Sequence, residues 1–80
     1  MKKDSFHYNL ANAPQQKMLR VTRIEDSELA IKLLEFGLGQ NRHCRVIRKA
    51  PFKGPLMIQC DRYQFVIRRE EAQLVQVDFE

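Results

Sequence analysis

The feature that most constrains this chain is a series of short runs in which apolar residues alternate with polar ones, each cut off by a turn before it exceeds about seven residues. Leu56, Ile58 and Cys60 fall on one side of an extended run, with Met57 and Gln59 on the other. Tyr63, Phe65 and Ile67 repeat the pattern, and Val75, Val77 and Phe79 repeat it again near the end. Alternation with a period of two is the signature of a strand with one face buried. An earlier run, Met18 to Ile24, alternates Leu19 and Val21 with Arg20 and Thr22, and His43 to Lys49 places Cys44 and Val46 in register. The segment Ala50-Pro51-Phe52-Lys53-Gly54-Pro55 cannot continue a strand, because its prolines lack the donor a ladder needs and its glycine favours reversal. Asp61-Arg62 provides a second tight turn.

One helix interrupts this series. Asp26 or Ser27 is suited to cap its start, Glu28 suits its first turn, and Leu29, Ala30, Leu33 and Leu34 form an apolar stripe about two turns long. Gly37 stands where a left-handed cap is expected. Glu70-Glu71-Ala72 reads as a further short helical turn. The expected fold is mainly β: a small barrel of about five strands with one short helix after the first strand, since closing a sheet removes its adhesive edges. Residues 1–16 are expected to be a polar N-terminal arm, in which alternating Phe6, Tyr8 and Leu10 allow either a short docked strand or a frayed leader; residues 17–80 form the barrel domain.

Eighty residues leave room for one domain. No apolar run nears the ~20 residues needed to cross a bilayer, and the N-terminus does not read as a signal peptide. A cytoplasmic protein is expected. Its two cysteines, Cys44 and Cys60, are too few for a disulfide framework and too far apart in sequence for a CxxC pair, and they read as small buried hydrophobes. The net charge of +4 divides unevenly, with +7 between Arg42 and Arg69 and −3 elsewhere. Such a segment attracts nucleic acid, anionic lipid or an acidic protein face, or simply solvates the outside of a sheet.

Three further marks occur in order. A leucine-rich helix ends in Gly37-Leu38, an Ala50-Pro51 turn closes with Gly54-Pro55, and Ile67-Arg68-Arg69-Glu70-Glu71-Ala72 precedes the last strand. Their order and spacing resemble the FeoA family of bacterial ferrous iron uptake over roughly Met18 to Phe79, and related domains occur at the C-terminus of iron-dependent repressors. One departure is plain: where the family usually shows Pro-Gly, this chain has Gln40-Asn41. Asn41 can keep the turn, because asparagine tolerates positive φ. The resemblance implies an SH3-like barrel, with a role in assisting or regulating the FeoB-type membrane transporter and no catalysis of its own.

The residues themselves offer little chemistry. There is no P-loop, and no nucleophile constellation is evident; His43 and Cys44, adjacent in a strand, point to opposite faces. The ligands His7, His43, Cys44 and Cys60 lack the spacing of a closed metal site, so no cofactor and no metal is assigned. The chain is expected not to be an enzyme. Binding surfaces remain. The candidate partner-binding residues are Phe36 and Leu38 in the loop after the helix, together with Phe52, Lys53 and Arg48 at the Ala-Pro turn. Phe52 either presents itself to a partner groove or folds back as a lid on the barrel. The alternative function is a basic nucleic-acid-binding barrel, with Tyr63 or Phe65 as a stacking platform beside Arg42, Arg45 and Arg48.

Overall fold

The computed structural model describes residues 8–79. Six strands and two helices follow in the order β1 (Tyr8–Asn9), β2 (Leu19–Ile24), α1 (Ser27–Leu34), β3 (His43–Lys49), β4 (Leu56–Cys60), β5 (Tyr63–Ile67), α2 (Arg69–Ala72) and β6 (Val75–Phe79). The strands form one antiparallel sheet ordered β1-β6-β2-β3-β4-β5. The five longer strands lie where alternation places them, and the helix follows the first of these. The extra strand, β1, is two residues long and pairs Tyr8 with Val77.

Two irregularities bend the sheet enough to wrap a core. The β2–β6 register shifts between Val21 and Arg23, where the Thr22 hydroxyl donates to the Gln76 carbonyl at 3.1 Å. The β3–β4 register shifts between Val46 and Arg48. A bulge of this kind sharpens local twist and frees a backbone group from the ladder. At the second bulge, the Gln16 side-chain amide donates to the Ile47 carbonyl at 3.1 Å and the Gln16 backbone N–H to Val46 at 2.9 Å.

Those bonds show what the segment before β2 does. Leu10 and Ala13 are fully buried, and Ala11 nearly so. Asn9 and Asn12 brace the segment by exchanging backbone-to-side-chain hydrogen bonds of 2.8 and 3.0 Å. Lys49 adds a tie from β3, donating from Nζ to the Ala11 carbonyl at 3.1 Å. Residues 8–16 therefore plug the core rather than trail from it. Phe6 and His7 lie outside the described residues.

Helix α1 begins as its sequence dictates, with the Asp26 carboxylate accepting from the Leu29 N–H at 3.0 Å. Leu29 and Leu33 are buried against the sheet, but Leu34, expected on the same stripe, is exposed together with Ile31. An eight-residue helix over a narrow barrel covers the sheet with only one row of side chains. Val75 and Val77 likewise point inward, while Phe79, their neighbour in the alternation, is half exposed at the strand end against Tyr8, with ring centroids 4.9 Å apart.

Glu71 joins the two helices. Its Oε2 accepts from Lys32 Nζ at 2.6 Å and its Oε1 from the Arg68 backbone N–H at 3.2 Å. The Lys32 hydrogen bond is the main cause holding the Glu71 carboxyl below its ordinary value of 4.5, against an opposing effect of burial. A lowered folded value means this contribution is present above the unfolded value and is lost as pH falls through the folded one. Because Lys32 is more than half exposed, Lys32→Met should cost about 0.2–1 kcal/mol at neutral pH. The difference should shrink in urea melts carried out below about pH 4.5. Leu10→Ala tests the plug: a loss of about 2–5 kcal/mol is expected, where a loose arm would give almost none.

Candidate functional site

The turn between β3 and β4 departs furthest from what its residues prefer. The Gly54 N–H donates to the Pro51 carbonyl at 3.1 Å, and the Ala50 N–H to the Pro55 carbonyl at 2.9 Å. Between Pro51 and Gly54, Phe52 and Lys53 both take φ of 59°. Two successive left-handed residues make a type I′ reversal, which matches strand twist but favours Asn-Gly. With Phe and Lys in these places, each residue costs roughly 1–2 kcal/mol. Gly54 is fixed by contact: a β-carbon there would lie 2.9 Å from the Ala50 β-carbon and 3.0 Å from the Pro51 oxygen. The turn therefore holds its shape, and at its tip Phe52 is 98% exposed. It is not a lid. Lys53 beside it is exposed, and so is Arg48, near the same end of β3.

The other two predicted residues sit at the opposite end of that strand, with the seven residues of β3, roughly 20 Å of extended chain, between the two loops. Here α1 ends in a Schellman motif. Gly37, at φ 82°, donates to the Leu34 carbonyl at 3.0 Å, and Leu38 donates to the Leu33 carbonyl at 3.1 Å. This cap folds the residue after the glycine back against the helix. Leu38 is accordingly 0% exposed, a core residue and not the surface contact expected from its place beside two glycines. Phe36 is half-buried and stacks on Phe65, with centroids 4.7 Å apart and rings 16° from parallel. Beside the loop stand Leu34, the last residue of α1, and Tyr63, the first of β5. A β-carbon at Gly39 would meet Leu34 Cδ2 at 3.0 Å, and one at Gly37 would meet Tyr63 Cδ2 at 3.9 Å. Both side chains are exposed, Tyr63 at 52% although it alternates with buried Phe65 and Ile67. Nothing in the alternation distinguishes Tyr63, because its exposure arises from its position beside the β4–β5 turn at the strand end. Asn41, at φ 69°, supports the reversal into β3 in place of the usual glycine.

A cleft of about 470 Å³ lies next to this loop, lined by Arg42, His43, Cys44, Arg45, Cys60 and Asp61 among others. Arg45 and His43 lie on its exposed side, whereas both cysteines face the core. Burial pushes the Cys44 thiol up to about 12, and burial likewise raises that of Cys60. Burial thus favours the protonated thiol at both positions near neutral pH. Among the described residues no cluster of three His, Cys, Asp or Glu side chains could hold a metal ion. No helix among them is long and apolar enough to cross a membrane. Of the two rings expected to stack beside the basic residues, Phe65 is spent on the core and on Phe36, whereas Tyr63 is exposed.

Solved structures share this architecture. The iron(II) transport protein A of Clostridium thermocellum superposes with a TM-score of 0.82 at 25% identity, over 90% of this chain and 45% of that one. This chain thus spans less than half the length of that relative. The FeoA of Stenotrophomonas maltophilia, solved in complex with zinc and described as a procaryotic SH3 domain protein, gives 0.75 at 28% identity over 89% of each chain. A manganese-dependent transcriptional repressor shares the fold alone, with 0.81 at 18% identity over 92% of this chain and 42% of its own. No curated protein matches the sequence. The FeoA domain model matches residues 8–78, from the first strand to the last, and this barrel belongs to the FeoA domain family.

Proposed function

We propose that this chain is a cytosolic accessory protein of bacterial ferrous iron uptake, which binds the FeoB-type membrane transporter through the turn at Phe52. One observation carries the reading: a fully exposed aromatic ring held at the tip of a left-handed, hydrogen-bonded turn. Leaving a phenylalanine in water forgoes roughly 1.5–3 kcal/mol of burial. A backbone strained at the same two residues adds to that cost, and strain of this kind collects at sites of function. A rigid turn loses little entropy on docking, so Phe52 can enter an apolar pocket while Lys53 and Arg48 meet acidic groups at its rim. Membership of the FeoA family supports the setting. So does the description of the Stenotrophomonas maltophilia protein as a candidate activating factor for ferrous iron transport.

Phe52→Ser should weaken binding to the cytosolic part of the transporter by about tenfold or more, as expected for a buried aromatic anchor. Its melting temperature should stay within a degree or two, since the ring contributes nothing to the core. Leu38→Ala should do the reverse, lowering stability by about 2–5 kcal/mol while the remaining folded fraction binds normally. Calorimetric titration with thermal melts of both variants separates the two. Full binding by the Phe52 variant would move the contact elsewhere, and no saturable binding by the native protein would end this reading.

A further inference from the structure

Along the β3–β4 ladder, Arg45 stands opposite Gln59 and Val46 opposite Ile58. In antiparallel pairing one number rises as the other falls, so continuing the register one step past the last ladder pair, Arg45 and Gln59, sets Cys44 opposite Cys60. Both side chains turn to the inside of the barrel, each 2% exposed, and both thiols are free. They also line the same cleft. Directly opposed residues hold their β-carbons about 4.5–5.5 Å apart. A disulfide needs about 3.5–4.5 Å, so a small approach of the two strand ends closes the bond.

We propose that Cys44 and Cys60 are a cross-strand dithiol which a small disulfide oxidant, of the glutathione class, converts to an intramolecular disulfide through the adjoining cleft. Cys60 reacts first. It ends β4 beside the Asp61 turn, and the nearby Arg42 charge favours its thiolate, partly offsetting burial and the Asp61 charge. Its proton passes to solvent, and the thiolate sulfur attacks one sulfur of the oxidant. That S–S bond breaks and one small thiolate leaves. The Cys44 thiol then gives up its proton and attacks the Cys60 sulfur, expelling the second small thiol. The protein has lost two electrons and two protons, and one oxidant molecule has become two thiols.

The change reaches the surface. In the reduced protein the Cys60 thiol donates to the Gly37 carbonyl at 3.3 Å, and Gly37 is the residue that turns α1 into the following loop. A disulfide has no S–H, so oxidation removes that bond and frees the loop whose Gly39 abuts Leu34 and whose Gly37 abuts Tyr63. This holds whether or not Phe52 is the transporter contact.

Native protein incubated with oxidised glutathione at about pH 8, where thiolate is more available, tests the proposal. Intact-mass measurement should show loss of two hydrogens with no retained glutathione. Peptide mapping should join residues 44 and 60, and size-exclusion chromatography should show no change in size. The Gly37 and Leu38 amide resonances should shift on oxidation and return with reductant. Cys44→Ser should instead accumulate a glutathione adduct on Cys60; if that variant fails to fold, the native result decides alone. Two thiols still alkylatable after the treatment, a covalent dimer, or stable adducts on both cysteines would each overturn it.

Discussion

The interior of this barrel is built from aliphatic side chains, alanines, two thiols and one phenylalanine, and among the described residues no polar or charged side chain is buried. A sheet this small cannot close both of its ends with its own strands. Helix α1 supplies Leu29 and Leu33 from one side, and the Schellman turn after it drives Leu38 inward. The segment before β2 supplies Leu10, Ala11 and Ala13, tied to β3 through Gln16 and Lys49. Hydrophobic burial over so short a chain depends on these pieces being present together. Each is too short to persist alone, and each is fixed by the core it completes.

Once the core has absorbed these residues, the surface has few features left for recognition. The β3–β4 turn is one, because it combines an exposed ring with backbone angles that neither Phe52 nor Lys53 would choose. The α1–β3 loop is the other, bordered by Leu34 and Tyr63. They lie at opposite ends of β3, so a partner that used both would have to span the length of that strand. The arginines and lysines between Arg42 and Arg69 lie mostly at exposed or half-buried positions of the sheet and its turns. The short salt bridge that Glu71 makes to Lys32 across the two helices lies outside that segment. Arg45, Arg48 and Arg62 are exposed on strands and turns, where they keep the sheet soluble.

Much of the architecture was legible. Alternation located five strands, Asp26 was readable as a helix cap, Gly37 as its left-handed stop, and Asn41 as a residue able to carry positive φ. The site was less so. Phe52 and Lys53 could be marked from the prolines around them, but whether Phe52 plugged the barrel or left it depended on two left-handed residues whose identities argue against that conformation. Leu38 was misplaced because adjacency to glycines says nothing about the direction a Schellman cap gives the next side chain. Tyr63 and Leu34 were assigned to the interior by period, and periodicity cannot see where a strand or a helix outruns the surface it covers.

The sequence by itself determined the local periods, the stops between them and the family they spell, because these depend on neighbouring residues and on backbone preferences a few positions long. The tertiary structure decided what lies opposite what. The closure of the core by residues 8–13, the burial of Leu38 and the pairing of Arg45 with Gln59 across β3 and β4 arise from strand register and barrel closure. Register is a contact between distant parts of the chain, set by total burial over the whole interior, and no single stretch of residues contains it.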